Sequence, residues 1–165
     1  MTPSQLAKSD VERCHQVALF AYCAVAYRHG FEIADKWDVL GDRFLAEILY
    51  VEPKVPALEW IHAIHNQGHG DAIHGAAAKA EGVRKGVADI FLPYAVGNWH
   101  GLYIEMKKLS VKPKRETSAG GLTSTQIAFA KYARDNGYGW AVCYGWKHAV
   151  TVIKQYVNYM GSMLQ

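Results

Sequence analysis

The sequence predicts a single α/β domain in which a mixed β-sheet is flanked by helices. Two observations support this prediction. After residue 57, strand and helix signals follow one another in the order β-α-β-β-α-β-α, which is typical of a sheet covered by helices. The 165-residue length and the 50% share of hydrophobic residues suit one domain with its own core. We therefore assign residues 1–165 to one domain, with an N-terminal helical part at 1–57 and a core at 58–160.

The N-terminal part is expected to be helical. Residues 9–29 contain a long apolar run, and Ser9 and Glu12 form a capping-box pattern just before it. The run has 11 residues, whereas a membrane crossing needs about 20, so we expect a buried helix and no membrane partner. Residues 30–57 look like an insertion before the core, with a second short helix near 44–49.

The core alternates between period-two strand patterns and helical patterns. In chain order, the predicted elements are a strand at 60–66, a turn at 66–70, an Ala-rich helix at 71–83, a strand at 87–94, a turn at Gly97 and Asn98, a strand at 101–107, a helix at 123–136, a strand at 138–144 and a helix at 146–160. Two of these strands adjoin a tight turn, which predicts a β-hairpin.

The net charge is small but unevenly placed. Lys and Arg number 18 against 15 Asp and Glu, a net charge of +3, and residues 100–116 alone carry five basic and two acidic groups. The rest of the chain is therefore neutral overall, which argues against a global electrostatic attraction to nucleic acid. Three cysteines without CxxC spacing favour reduced thiols in a cytoplasmic compartment over a disulfide framework.

The hairpin brings two carboxylates together. Asp89 and Glu105 each lie eight residues from Gly97, so folding about the turn places them opposite one another, with Cβ atoms about 4.5–5.5 Å apart. Alternation puts Lys107 on the same face as the two acids. The opposite, core-facing side of the hairpin is expected to carry Ile90, Leu92, Leu102, Ile104 and Met106.

Two adjacent carboxylates repel unless a positive charge lies between them. A hard divalent cation such as Mg²⁺ suits them because it takes oxygen ligands and keeps waters for substrate. With Lys107 to position water or steady charge, the reaction class is metal-assisted phosphodiester hydrolysis. The alternative is that Asp89 and Glu105 are ordinary solvated strand residues and Lys107 is their ion-pair partner.

These residues resemble a known nuclease signature. Ala88-Asp89 followed by Glu105-Met106-Lys107 is similar to the PD-(D/E)XK motif, with Ala88 where the motif has proline. The flanking stretches resemble the VRR-NUC branch, the virus-type replication and repair nucleases, from about residue 60 to 159. They are 81–93, 101–107, 122–126, 137–138 and the terminal helix to about 156. The resemblance implies a PD-(D/E)XK restriction-endonuclease-like core, Mg²⁺ or Mn²⁺ dependence, metal ligation by Asp89, Glu105 and the Met106 carbonyl, and Lys107 as the catalytic lysine.

Three further residues match polar positions of that family. Glu12 and Gln16 have the spacing of a glutamate and a glutamine on its first helix, one turn apart on one face, and imply a metal ligand and a DNA contact. The alternative for Glu12 is its capping role, and Glu47 is a weaker candidate for the same position. Gln126 matches the family's catalytic glutamine after the hairpin; its alternative is a polar residue of a helix's first turn.

Four histidines lie within 13 residues: His62, His65, His69 and His74. Zinc binding is conceivable because neutral imidazoles are good ligands, but no cysteine is near and the spacing matches no common zinc pattern. We favour DNA contact or plain surface. His65 and Asn66 fall where the resembling family has a strand end near its active site, so both are candidate DNA contacts.

The basic segment after the hairpin is a second candidate contact with DNA. Lys108, Lys112, Lys114 and Arg115 directly follow the proposed site and are suited to neutralising backbone phosphates. The alternative is a solvated loop. Trp99 at the hairpin tip is the aromatic residue we single out as a candidate for base stacking.

The leading hypothesis is a divalent-metal-dependent DNA endonuclease. The resemblance favours branched or Holliday-junction-like DNA as substrate, in phage or mobile-element replication and repair within a bacterial or phage-infected cell. It also favours a homodimer, because a symmetric junction is cut at two points. A restriction-like or non-specific nuclease would use the same residues. The alternative from another class is a non-catalytic nucleic-acid-binding protein that retains the fold.

Overall fold

The computed structural model describes residues 1–49, 52–65, 79–113 and 120–159. The predicted turn at 66–70 and most of the helix predicted at 71–83 lie outside these residues. Five candidate site residues also lie outside them: Asn66, His69, His74, Lys114 and Arg115.

The described chain contains a mixed four-stranded sheet with the strand order β1-β2-β3-β4. The strands are β1 His62–Ala63, β2 Ile90–Leu92, β3 Leu102–Lys107 and β4 Gly139–Tyr144. β1 pairs with β2 and β2 with β3 in antiparallel fashion, whereas β3 and β4 are parallel. A parallel pair needs a crossover connection, and a helix lies between β3 and β4 in sequence. The predicted mixed α/β class is confirmed.

Six helices accompany the sheet in the described part of the chain. They are α1 Pro3–Leu6, α2 Glu12–His29, α3 Phe31–Leu40, α4 Asp42–Ala46, α5 Ser124–Asp135 and α6 Trp146–Val157, with short 3₁₀ turns at Pro56–Leu58 and Leu109–Val111. Within these described segments, no helix combines the length and apolar character that a membrane crossing requires.

The core forms between one face of the sheet and helices α2 and α6. All five predicted core-facing hairpin residues are at most 3% exposed: Ile90, Leu92, Leu102, Ile104 and Met106. Leu19 and Tyr22 of α2 and Ile153 of α6 join the same apolar cluster. The predicted turn is also present, since the backbones of Val96 and Trp99 exchange two hydrogen bonds of 3.0 Å.

The predicted capping box at Ser9 is wrong. Helix α2 begins at Glu12 after Val11, which has extended backbone geometry, and no side chain caps it. Ser9 lies two residues before that cap position, and its hydroxyl contacts the Cys14 sulfur at 3.2 Å instead. The capping box of this region belongs to α1, where Thr2 and Gln5 satisfy one another's backbone amides.

Residues 30–57 contain two helices where we expected one near 44–49. Gly30 and Gly41 separate α2, α3 and α4, and both have positive φ values, +91° and +88°, which glycine adopts without strain. Asp35 of α3 accepts hydrogen bonds from Tyr22 (2.7 Å) and from Lys154 of α6 (2.7 and 2.8 Å), so this segment packs on the core helices.

Two strands are several residues shorter than predicted, and the other two each lack one residue at the start. The expected strand at 60–66 reduces to His62–Ala63, because residues 56–61 form a turn in which the Ile61 amide donates to the Leu58 carbonyl. The expected strand at 87–94 reduces to Ile90–Leu92, and Pro93, which lacks a backbone donor, follows it directly. The hairpin register is unaffected by either change.

Candidate active site

The two hairpin carboxylates lie opposite one another. Ile90 pairs with Ile104, so one step further along each strand brings Asp89 beside Glu105. Oδ2 of Asp89 accepts a 2.8 Å hydrogen bond from the backbone amide of Met106. This bond crosses from one strand to the other and holds the Asp89 carboxylate against the Glu105 position.

Glu105 is 1% exposed and its two oxygens have different surroundings. Oε1 accepts hydrogen bonds from Nζ of Lys107, at 2.8 Å, and from Nε2 of Gln126. Oε2 is buried with no hydrogen-bond partner among the described residues. A buried carboxylate oxygen without a partner is costly, and a bound cation is one of the few groups that would offset this cost. The site therefore fits a bound cation.

The pKa values at the site reflect this crowding. Burial above all, together with the neighbouring charge of Asp89, raises the pKa of Glu105 to about 7, although the hydrogen bond and charge of Lys107 act in the opposite direction. Burial also raises the pKa of Asp89, against its bond from Met106. At neutral pH the pair is thus poorly stabilised as two anions, which is the condition a divalent cation relieves.

Lys107 stays charged despite its burial. Its side chain is 13% exposed, and burial alone would lower its pKa. The hydrogen bond and charge of Glu105, with the charges of Glu12 and Asp89, outweigh burial and raise the pKa overall. A permanent ammonium group therefore stands beside the paired carboxylates.

Gln126 caps helix α5 and also contacts Glu105. It is the third residue of α5, where its backbone amide and side chain complete a capping box with Thr123. Its side-chain oxygen accepts from the Thr123 amide at 2.9 Å, and its side-chain nitrogen donates to Glu105. The start of α5 is thereby tied to β3.

Glu12 lies at the rim of the site. Burial raises its pKa, and the charges of Lys107, Asp89 and Lys108 act on it, so the first turn of α2 faces the carboxylate pair. Gln16, one turn later, is half-buried. Glu47, the weaker alternative, is instead an exposed residue at the end of α4.

Which residues could hold a metal follows from this placement. Across residues 1–49, 52–65, 79–113 and 120–159, no three His, Cys, Asp or Glu side chains stand close enough together to hold a metal ion. The donors that the structure brings together are thus the carboxylates of Asp89 and Glu105, and the Met106 carbonyl stays a predicted ligand. Such a set suits Mg²⁺, which is commonly bound by one or two carboxylates and keeps several waters. Glu12 could be reached through such a water.

The basic segment begins in a turn that is anchored from the N-terminus. The amides of Leu109 and Ser110 donate to the Asp10 carboxylate at 2.7 and 2.9 Å, and Nε2 of the buried His15 lies 3.0 Å from it. Lys108 and Lys112, which flank this turn, are exposed. Sequence reasoning missed Asp10 and His15, because no local pattern links them to a segment about 100 residues away.

Sequence reasoning also did not single out Gly86, which positions the chain just before Asp89. Its φ is +89°, and a Cβ there would lie 2.6 Å from the backbone of Thr125 in the first turn of α5. Only glycine therefore allows the chain to pass this close to α5 just before Asp89. A glycine three residues before the first acid was the available signal.

Of the four clustered histidines, His62 and His65 lie in the described residues, as does Trp99. His62 and His65 are exposed, and the Ile64 amide donates to the Asp89 carbonyl at 2.7 Å, which brings His65 close to the Asp89 end of the sheet. Trp99 is partly buried: it packs against the core and lines an apolar cavity of about 300 Å³ between β4 and α6. Its role in base stacking stays a prediction.

Comparison with known proteins identifies the fold. No protein-family model and no curated protein matches the chain. Among solved structures, the chain is similar to a "VRR_NUC domain protein" with a TM-score of 0.51 and 23% sequence identity, over 89% of this chain and 88% of that one. At this identity the likeness establishes a shared fold, and it agrees with the fold class that the sequence resemblance implies.

Proposed function

We propose that this protein is a divalent-metal-dependent DNA endonuclease that hydrolyses phosphodiester bonds. The observation that supports this most directly is the buried, unpartnered Oε2 of Glu105, which lies in a carboxylate pair with Asp89 and beside the charged Lys107. A structural ion pair would satisfy both oxygens, whereas a metal ligand keeps one available. The shared fold with a VRR_NUC domain protein supports the same reading.

In this proposal Asp89, Glu105 and the Met106 carbonyl hold Mg²⁺ or Mn²⁺, with Glu12 at its periphery. When bound, the cation would polarise the scissile phosphate and lower the pKa of a bound water. The chain's own residues prepare this site. The Met106 amide holds Asp89, and Gln126 and Lys107 hold one oxygen of Glu105.

Lys107 is the proposed catalytic cation, and Gln126 is proposed to assist it by orienting Glu105. The ammonium group is fixed by Glu105, so it can orient a water or offset charge that develops on the phosphate. Gln126 restricts the Glu105 carboxylate to one orientation, because its other side-chain atom is engaged by Thr123. Catalysis of this kind depends on positioning, and a displacement of about 1 Å is costly.

DNA contacts are proposed on the residues around this site. Lys108 and Lys112, with Lys114 and Arg115 beyond the described turn, would neutralise backbone phosphates. Gln16, His65 and Asn66 are proposed as further contacts with the DNA. We propose branched or structured DNA as substrate and a homodimer as the active form, acting in phage or mobile-element replication and repair inside a bacterial or phage-infected cell.

The test is a cleavage assay with matched variants. Labelled four-way junction, flap, duplex and single-stranded DNA are incubated with Mg²⁺, Mn²⁺ or EDTA. Wild-type protein should cut at least the junction with metal and nothing with EDTA. Glu105→Gln and Lys107→Met should lose at least 100-fold in rate, whereas Glu59→Gln and Lys8→Met, which change exposed residues, should keep wild-type rates.

Two outcomes would contradict the proposal that this protein is a nuclease. One is binding without cleavage under every metal condition, which would support the non-catalytic nucleic-acid-binding alternative. The other is cleavage that survives both site variants, which would indicate a contaminating nuclease. Light scattering of the pure protein, with and without junction DNA, tests the homodimer separately.

A further inference from the structure

An aromatic row crosses the whole sheet. His62 pairs with Phe91, Phe91 with Tyr103, and Tyr103 with Trp140, so each strand contributes one ring at adjoining positions. The rings of Phe91 and Tyr103 are stacked, with centroids 4.5 Å apart and an interplanar angle of 27°. His62 meets Phe91 edge-on at 5.8 Å. We call these four residues the aromatic row.

The aromatic row shares a sheet face with the candidate active site. Ile90 and Ile104 point into the core with 0% exposure, so their neighbours along each strand point the other way. Phe91 is two residues from Asp89, and Tyr103 is two residues from Glu105, a separation of about 7 Å along the strands. The row therefore runs across the sheet parallel to the carboxylate pair, two residues away from it along each strand.

One end of the aromatic row is covered and the other is accessible. Phe129 of α5 packs edge-on against Tyr103 at 5.1 Å, and the Arg134 guanidinium lies 5.3 Å from the Trp140 ring centroid. At the other end His62 is exposed and Phe91 partly exposed. Tyr138, which follows α5, also contacts the rings of Tyr103 and Phe91, with centroids 5.4 and 6.0 Å apart. The row is thus packed beneath α5 and Tyr138, and it is most accessible at His62.

Gly101 sets the position of the Phe91 ring. A Cβ at Gly101 would lie 2.7 Å from two carbons of that ring. Because glycine leaves this space open, the ring lies flat over β3 and stacks on Tyr103, instead of turning away from the sheet. The result is an aromatic surface of stacked Phe91 and Tyr103 rings, two residues along the strands from Asp89 and Glu105.

We propose that His62 and Phe91 stack an unpaired nucleobase of the DNA, in the nucleotide next to the phosphate at Asp89 and Glu105. This rests on the proposed function, since it assigns the substrate of the same site. The row lies about 7 Å from the carboxylates along the strands, so a phosphate held at the carboxylates would bring its flanking nucleotide against the row. Aromatic rings stack any base, so the subsite selects bases by exposure and not by identity.

The class of substrate follows from the geometry of stacking. A base inside a continuous duplex is already stacked on both faces, whereas a base at a junction, flap or single strand has a free face. The accessible end of the aromatic row therefore favours DNA with an unpaired nucleotide beside the cut. This supplies a physical basis for the structure selectivity that the charge distribution leaves undefined.

The test measures stacking without cleavage. A flap substrate carries 2-aminopurine at the unpaired nucleotide beside the expected cut, and binding is followed in Ca²⁺ or EDTA. Wild-type protein should quench the fluorescence on stacking. Phe91→Leu and His62→Ala should reduce the quenching and raise the dissociation constant, for Phe91→Leu roughly ten-fold. Tyr132→Leu, an exposed ring on α5, should change neither.

Two further arms separate stacking from misfolding. Phe91→Trp should restore quenching, because it keeps an aromatic ring. An abasic residue in place of the 2-aminopurine should weaken wild-type binding as much as Phe91→Leu weakens binding to intact DNA, and combining the two should add nothing. The abasic arm leaves the protein unaltered, so it stands even if Phe91→Leu folds poorly.

The outcomes distinguish this proposal from the nuclease proposal. If wild-type protein does not quench the probe, or if Phe91→Leu weakens duplex and flap binding equally, the stacking subsite is wrong even where cleavage occurs. If quenching follows the predicted pattern but no substrate is cut with metal, the subsite stands and the nuclease is wrong.

Discussion

The side-chain amide of Gln126 donates a hydrogen bond to Oε1 of Glu105, joining the first turn of α5 to the central strand β3. The same side chain closes the capping box with Thr123. One residue thus stabilises the start of a helix and orients a buried carboxylate. These two roles can be separated by substitution.

We expect Gln126→Glu to lower cleavage at least ten-fold while α5 stays capped. Glutamate can complete the capping box, but it brings a third carboxylate against Glu105. Thr123→Ala should do the reverse, lowering the free energy of unfolding by about 1 kcal/mol with a smaller loss of activity. Thermal unfolding and initial cleavage rates measure the two effects. Equal activity losses in the two variants would contradict the assignment.

The stability of the metal-free protein should fall as pH rises from about 4.5 to 7. The pKa of Glu105 is raised to about 7 in the folded state, so over this range the folded protein holds a proton that the unfolded chain releases. Its stabilising effect is present at low pH and lost as Glu105 ionises, on the order of 1–3 kcal/mol. Urea unfolding at several pH values in EDTA measures this. Glu105→Gln should flatten this part of the profile, and an unchanged profile would show that Glu105 is already ionised.

Mg²⁺ should bind with the release of protons near neutral pH. A carboxyl group with a pKa of about 7 must lose its proton before it can ligate a cation, so affinity should rise between pH 6 and 8. Titration calorimetry in buffers of different ionisation enthalpy counts the protons released. Asp89→Asn should lower the affinity for Mg²⁺ at least ten-fold. Binding that is equally tight at pH 6 and pH 8 would argue against Glu105 as a ligand.

Asp10→Ala should release the turn at Leu109–Val111. The hydrogen bond to His15, and those from Ser110 and Leu109, hold the pKa of Asp10 well below its usual range, so it acts as an anion throughout the physiological pH range. Amide exchange at Leu109 and Ser110 should accelerate, and DNA binding should weaken several-fold. Asp135→Ala, which removes a surface ion pair with Lys131, is the matched control. Unchanged amide exchange would mean that the turn at Leu109–Val111 is stable without its hydrogen bonds to Asp10.

Lys108 and Lys112 should contribute to DNA affinity through phosphates alone. Replacing each by alanine should reduce the slope of log affinity against log salt by about 1, with little dependence on base sequence. Lys131→Ala, on the outer face of α5, should leave the slope unchanged. Filter binding at several salt concentrations provides the measurement. Altered sequence preference would instead indicate base contacts.

Sequence periodicity predicted the sheet hairpin well for a local reason. Its register depends on a short turn and on alternation, both of which are encoded within about 20 residues. The placement of Asp89 beside Glu105, and the burial of Ile90 and Ile104, followed from that pattern. Helix α2 was found by its apolar run, but its start was misplaced, since Ser9 offered a capping pattern that the chain does not use.

What the sequence alone determined was the class of fold and the central carboxylate pair, because these depend on near neighbours in the chain. Only the tertiary structure decided that Oε2 of Glu105 lacks a partner among the described residues, that Gln126 reaches Glu105, and that Asp10 holds a turn about 100 residues away. It also showed that Trp99 packs on the core and that the Phe91 ring is partly exposed beside the site. Such contacts join elements that are distant in sequence, and their geometry is set by how helices pack on the sheet, which no local pattern specifies.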